Sequence, residues 1–280
     1  MSSLIISDKK KYNELKRIFK EQGYGKIHVV SDFDKTLTKA YVNGNKIPGI
    51  IAQIRDGTYL SKDYAEKAHA LFNKYHPLEI SSTIPEEEKK QAMFQWWTEH
   101  FELLIKSGLN KKDLERVVKE GPAEFREGVS EFLDFLNINK IPLIILSSSG
   151  LGNYIPMYLE KYNKNYDNIN VISNLFEFDK QGYATKIKQP IIHALNKDEQ
   201  AFRNFPIYKS IQKKKNVILL GDGIEDLKMI SGFKFDNLIK FGFLNEDIES
   251  NLDLYKQNFD VLITNDGNFE AINKFFEEIG

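Results

Sequence analysis

Short β-branched and aliphatic runs recur along this chain at Lys26–Ser31, Pro142–Leu146, Asn170–Ser173, Val217–Leu220, Leu238–Phe241 and Val261–Thr264. Helical stretches lie between most of the later ones. Strand and helix in alternation leave few architectures open, because parallel strands need crossover connections and the crossover helices then cover the sheet. The expected fold is therefore α/β, a Rossmann-like parallel sheet flanked by helices. In such sheets ligands sit beyond the C-terminal ends of the strands, and the residues of interest below all fall there.

Two segments depart from the rhythm. Ser7–Gln22 keeps Tyr12, Leu15, Ile18 and Phe19 on one helical face, with Ser7 as the expected cap and Gly23 as the stop. From Ala40 to Gly121 the pattern is mainly helical. Tyr64, Ala68, Leu71, Phe72 and Tyr75 keep helical spacing, and a second helix opens near Pro85 with Glu86, Glu87 and Glu88 in its first turn. It runs through Met93, Trp96, Trp97, Phe101 and Leu104 to Gly108, and a third helix starts from Asn110 with Asp113 three residues on. The chain thus divides into a core, 1–40 and 122–280, and a helical insert, 41–121, placed after the first core strand.

Composition narrows the function classes. The 280 residues carry 39 Lys and Arg against 40 Asp and Glu, a formal charge of −1 that is a poor match to bulk nucleic-acid binding. The absence of cysteine excludes a disulfide frame, a thiolate metal site and a cysteine nucleophile. The longest apolar stretch, Ile141–Leu146, is far too short to cross a bilayer, and the first residues lack the pattern of a signal peptide. A cytoplasmic protein is expected, with neither nucleic acid nor membrane as partner. The oligomeric state is open, and a monomer is compatible with everything in the sequence.

Four places carry chemistry. Asp32 and Asp34 stand i, i+2 past the first strand, so both carboxylates can face one side. One can attack phosphorus while the other protonates a leaving oxygen; the plain alternative is an acidic turn with Asp34 as a cap. Ser147, Ser148 and Ser149 with Gly150 precede a helical stretch, an anion site or an ordinary Ser/Gly turn. Lys197 could balance the charge of a phosphate and its attacker, although most lysines are solvated surface residues. Asp222 and Asp226 straddle the end of a hydrophobic strand. Hard oxygen ligands from Asp32 and Asp222 suit Mg²⁺, whereas a structural reading makes Asp222 a helix cap and Asp226 a surface acid.

Read in order, DFDKT, the run into Ser148, Lys197 and GDGIED resemble the four motifs of the haloacid dehalogenase superfamily of Mg²⁺-dependent phosphotransferases. Nearly end to end, the chain also resembles the cytosolic pyrimidine 5′-nucleotidases (cytosolic 5′-nucleotidase type three). SDFDKTLT, KYHPLEI, FQWWTEHFELL, IPLIILSSSGLGN, KQPIIHALNKDEQAF and ILLGDGIEDLKM carry that resemblance. It implies Asp32 as nucleophile and Asp34 as acid/base. Ser148 would be on a phosphate oxygen and Lys197 would balance charge. Mg²⁺ would be held by Asp32, Asp222 and the Asp34 carbonyl, with Asp226 behind them. Ser147 is nearer the strand, while Ser148 fits when Gly150 is registered on the family glycine; Ser149 adjoins both.

By the same resemblance the insert is a cap over a nucleoside 5′-monophosphate. Glu79 would face the base, and Trp96 or Trp97 would stack on it, with one of the two in the core. His100 stands where the family has a small hydroxyl residue, and Asn153 replaces an acid at a helix start. The expected activity is Mg²⁺-dependent hydrolysis, pyrimidine favoured, through an aspartyl phosphate, with transfer to another nucleoside as a side activity. The rivals are a phosphatase for another small phosphomonoester such as phosphoserine, and a silent nucleotide-binding member.

Overall fold

The computed structural model describes residues 3–81, 83–197, 205–231 and 234–280. Strand β1 (Leu4–Ile6) leads into α1 (Lys9–Gln22) and β2 (Ile27–Ser31). The insert follows, with hairpin β3 (Tyr41–Val42) and β4 (Asn45–Lys46) and helices α2 (Ile50–Asp56), α3 (Lys62–Ile80), α4 (Glu86–Lys106) and α5 (Lys111–Glu120). The chain returns through α6 (Val129–Ile138), β5 (Leu143–Leu151), α7 (Tyr154–Lys161) and β6 (Ile169–Asn174), then a hairpin of β7 (Phe176–Phe178) and β8 (Ala184–Ile187). Helix α8 (Pro206–Ile211), β9 (Asn216–Gly221), β10 (Asn237–Leu244), α9 (Ile248–Asn258), β11 (Val261–Thr264) and α10 (Glu270–Glu278) complete it.

Seven strands form one sheet in the order β1-β11-β10-β9-β2-β5-β6, parallel except for β1, which pairs antiparallel with β11. Alternation along the central strands feeds both faces. Val29, Ile145 and Ile218 enter one apolar layer, and Val30, Ile144 and Leu219 enter the other. This is why these strands read as continuous apolar runs: β2 and β9 are buried at every residue.

The structure differs from the sequence reading at several ends. Asp8, not Ser7, caps α1: its Oδ1 accepts from the amides of Lys10 at 2.9 Å and Lys11 at 3.0 Å. Ser7 instead donates Oγ to the Phe259 carbonyl at 2.7 Å. Strand β1 is only three residues long, too short for periodicity to single out. The β3–β4 hairpin was not expected in a helical insert, yet Asn43 and Gly44 both take positive φ, as a two-residue hairpin turn requires. The cap of α5 is as expected, with Asn110 N donating to Asp113 Oδ2 at 2.9 Å and Lys112 N to Asn110 Oδ1 at 3.1 Å.

Insert and core meet through side chains. Leu195, in the turn before Lys197, packs with Tyr75, Met93 and Trp96 of α3 and α4. Phe101 of α4 meets Phe176 of β7 edge-on at 5.7 Å. Ion pairs Lys228–Glu86 (2.7 Å) and Lys46–Glu246 (2.5 Å) join the two at the surface.

His28, His100 and His193 are buried and held neutral, burial lowering each to about 4. For His28, whose Nδ1 bonds the Lys214 carbonyl at 2.8 Å, the folded value lies below that of the unfolded chain. The unfolded chain therefore takes up the proton first, and the stability this neutral ring contributes is present above pH 6.5 and lost as pH falls from there towards 4. His28→Asn removes the titration. Denaturant titrations at pH 7.5 and 5 should show wild type losing about 2 kcal/mol relative to the variant over that interval. A pH-independent difference would contradict this account.

Candidate active site

The strands bearing the expected chemistry are neighbours, β9-β2-β5, so their C-terminal ends open side by side at the sheet centre. Beyond β2, Asp32 N continues the ladder to Leu220 O at 3.0 Å. Phe33 is fully buried edge-on against Tyr154 and Tyr158. Anchoring Phe33 on one side leaves its neighbours, Asp32 and Asp34, to share the other.

Lys197 Nζ lies 2.5 Å from Asp32 Oδ1 and 3.1 Å from Asp226 Oδ1. Asp226 Oδ2 accepts from the amides of Asp222 at 3.1 Å and Gly223 at 3.0 Å. That approach requires glycine at 221, where a Cβ would lie 2.6 Å from Asp226 Cβ. Tyr255 donates its hydroxyl to the Asp222 carbonyl at 2.6 Å. Asp34 Oδ2 accepts a hydrogen bond from Ser149 Oγ. Gly49, the residue before α2, roofs this pair: a Cβ there would lie 3.4 Å from both oxygens.

The three serines separate by partner. Ser147 is buried and its Oγ accepts from Gly150 N at 3.0 Å. Ser149 serves Asp34, and the Ser148 hydroxyl makes no hydrogen bond among the described residues. The Ser148 carbonyl accepts from Asn174 Nδ2 at 2.8 Å. Asn174, fully buried at the end of β6, also exchanges bonds with Ile192 O at 2.9 Å and Ile192 N at 2.8 Å. It ties Ser148 to the segment that carries Lys197; the three serines are part of β5, which runs on to Leu151, and not the turn that the sequence suggested. Residues 198–202, the tail of the KQPIIHALNKDEQAF segment, lie outside the described residues.

Charge in the cluster is unbalanced. Burial raises Asp32 well above the usual carboxylate range, Lys197 opposing and Asp226, Asp222 and Asp34 adding to the rise. Burial also raises Asp34, against the Ser149 bond, and burial with Asp226 pushes Asp222 up to about 7. For Lys197 burial works against the ammonium, but Asp226 and Asp32 outweigh it and hold it charged. One oxygen each from Asp32, Asp222 and Asp226 lie within 4.8 Å of one another. Crowded, under-neutralised carboxylates are the donor set a hard divalent cation such as Mg²⁺ fits. Lys197 and two amides already take up both Asp226 oxygens, which leaves Asp32 and Asp222 to face an ion.

The insert residues stand apart. Among the described residues no hydrogen bond or ion pair joins Glu79, Trp97 or His100 to the acidic cluster. Glu79 is partly exposed, with Oε2 3.1 Å from His76 Nδ1. Trp96 is buried while Trp97 is half-buried and stacks on it at 5.3 Å. His100, expected to touch a ligand, is 1% exposed, bonded to Tyr64 OH at 3.0 Å and edge-on behind Trp97. Asn153 is the N-terminal cap residue of α7, as expected. Gly49, Asn174 and Tyr255 were missed by sequence reasoning; none carries a motif, and only the fold brings them to the strand ends.

An Asp-x-Asp past one strand, serines near the end of its neighbour β5, a lysine between buried acids and a Gly-Asp at the end of the third strand, in that chain order, define the haloacid dehalogenase class of phosphatase fold. The model of the family described as pyrimidine 5′-nucleotidase (UMPH-1) matches residues 35–280, and the chain belongs to that family of phosphoric monoester hydrolases. A Gallus gallus protein named 7-methylguanosine phosphate-specific 5′-nucleotidase is 33% identical over 258 residues, 92% of this chain and 89% of the relative. The crystal structure of cytosolic 5′-nucleotidase IIIB (cN-IIIB) bound to cytidine is similar at TM-score 0.87 and 27% identity, covering 99% of this chain and 93% of that one. A phospho-aspartyl intermediate analogue of phosphoserine phosphatase shares the fold, at TM-score 0.52 and 17% identity over 89% of this chain and 98% of its own.

Lys197→Met leaves Asp32 and Asp226 buried without their countercharge. In EDTA at pH 7.5 the variant should lose about 3 kcal/mol in a denaturant titration. An unchanged unfolding midpoint would show that the pair contributes nothing to stability.

Proposed function

We propose that this chain is a Mg²⁺-dependent 5′-nucleotidase that hydrolyses nucleoside 5′-monophosphates through an aspartyl phosphate on Asp32. The observation that carries the reading is the buried ammonium of Lys197 against Asp32, with Asp34 and Ser149 beside it. Lys197 and the unpaired Ser148 hydroxyl bind the phosphate oxygens, and Asp32 attacks phosphorus as the bond to the 5′ oxygen breaks. Asp34, whose carboxyl burial raises above the usual range and Ser149 holds in place, protonates that departing oxygen. Asp34 then takes a proton from a water that attacks the phosphorus, releasing phosphate and restoring Asp32. A second nucleoside in place of water gives phosphotransfer. Mg²⁺ bound by Asp32, Asp222 and the Asp34 carbonyl, with Asp226 behind, would neutralise phosphate charge.

Residues 41–121 act as the cap, with Gly49 over Asp34 and Leu195 seated among Tyr75, Met93 and Trp96 in support. Trp97 offers a stacking face for the base and Glu79 an acceptor for an exocyclic amine; His100 supports Trp97 from behind. The family description favours pyrimidines. The relative's named substrate carries a cationic base, which an aromatic face and a carboxylate both attract. Both CMP and 7-methylguanosine monophosphate are therefore substrates of choice. A cytoplasmic setting accords with the "cytosolic" name of the similar structure and with the lack of cysteine. No helix among the described residues is long and apolar enough to cross a membrane.

Phosphate release from CMP, UMP, 7-methylguanosine monophosphate, other nucleoside monophosphates and phosphoserine, with Mg²⁺ or EDTA, tests the reading. Mg²⁺-dependent release from nucleotides over phosphoserine is expected, and Asp32→Asn should abolish it. Full activity in EDTA removes the metal from the account, and a preference for phosphoserine discards the nucleotide reading.

A separate measurement addresses the cap. Glu79→Gln should weaken the preferred nucleotide about tenfold, or about 1.4 kcal/mol, while leaving p-nitrophenyl phosphate hydrolysis unchanged. An equal effect on both substrates would place Glu79 outside base recognition.

A further inference from the structure

Arg126, on the stretch returning from the insert, is 2% exposed, more buried than any acid of the reacting cluster. Its Nε donates to Thr36 O at 2.9 Å and Nη1 to Gly267 O at 2.8 Å. Its Nη2 donates to Asn245 Oδ1 at 2.9 Å and to the Lys35 carbonyl. Nη1 also pairs with Asp266 Oδ1 at 2.7 Å, and the guanidinium lies 4.4 Å over the Phe243 ring.

Two of these acceptors, Lys35 and Thr36, directly follow Asp34. Lys35 has φ 55, the left-handed region that a residue with a Cβ rarely adopts. It is clamped from both ends. Its amide donates to Thr38 Oγ1 at 2.9 Å, and its carbonyl takes Arg126 together with Asn245 Nδ2 at 3.1 Å.

The same group also reaches both chain crossings between core and insert. Asp266, the partner of Arg126, accepts from Ala40 N at 2.7 Å and Tyr41 N at 3.0 Å on the outgoing crossing. On the return, Arg126 N donates to Leu37 O at 3.0 Å and Phe125 bridges Thr38.

We infer that Arg126 is a positioning residue of the reaction. With Asn245 it holds the left-handed turn at Lys35, which sets where Asp32 and Asp34 lie, and with Asp266 it fastens both chain crossings to that turn. The inference rests on reading Asp32 and Asp34 as the reacting pair. A planar fork serving several carbonyls at once is a task lysine cannot take over, so Arg126→Lys keeps the charge and removes the function. Asn245→Ala, at a half-buried site, withdraws one of the two donors to the Lys35 carbonyl and one acceptor of Arg126, and leaves both members of the Arg126–Asp266 pair in the chain.

The full chain is compared with both variants by steady-state kinetics on CMP and 7-methylguanosine monophosphate, and by amide hydrogen exchange over residues 33–41. In folded Arg126→Lys, kcat should fall about tenfold or more with KM within about twofold. In Asn245→Ala, kcat should fall about threefold. Exchange over 33–41 should quicken in both while that of β2 stays constant. A purely structural role would lower the melting temperature and leave kcat of the folded protein and the local exchange as in wild type, and that result overturns the inference. Where Arg126→Lys does not fold, Asn245→Ala decides on the same two readouts. A wild-type chain inert toward every phosphomonoester overturns the functional reading instead, and unchanged exchange over 33–41 still overturns the positional claim.

Discussion

The ammonium of Lys197, wedged between Asp32 and Asp226, is the contact on which the rest of this centre depends. Acids from β2 and from the turn after β9 are buried together, and without a cation among them neither strand end could close. The pairing is also what makes the site usable. It keeps an ammonium charged among buried acids, in surroundings where water does not screen it. The under-neutralised remainder, raised at Asp32, Asp34 and Asp222, is a charge imbalance that a bound divalent cation would relieve.

Insert and core are coupled through side chains that belong to neither set of motifs. Leu195 stands two residues before Lys197 and sits in the aromatic cluster of α3 and α4, so the loop carrying the lysine is packed against the insert. Asn174 links that loop to Ser148. Gly49 brings the start of α2 over Asp34, and Arg126 and Asp266 hold the two chain crossings. On the proposed reading of residues 41–121 as a cap, a movement on such supports would alter the surroundings of Lys197, Ser148 and Asp34 together.

Much of the fold was legible because buried parallel strands have to be apolar at every position. β2, β9 and β11 stand where their runs predicted, and the helices of the insert follow their apolar spacing and their capping residues. What escaped notice was short or depended on partners. The three residues of β1 exist as a strand only because β11 is beside them. Ser7 looked like a cap but its hydroxyl is engaged by Phe259 of a distant element. His100 stands where the family has a small hydroxyl residue, and in the fold its ring is buried against Tyr64 and Trp97.

The sequence by itself determined which residue types stand at the ends of which strands, because local spacing decides that Asp32 and Asp34 share a side and that Asp222 follows an apolar run. Only the tertiary structure decided which of three adjacent serine hydroxyls makes no hydrogen bond among the described residues and which tryptophan is only half-buried. It alone also showed that a single arginine bonds the Lys35 and Thr36 carbonyls and, through Asp266, the start of the insert at Tyr41. Those outcomes are set by contacts between residues far apart in the chain. A pattern read along one strand or helix contains no information about what the neighbouring element brings against it.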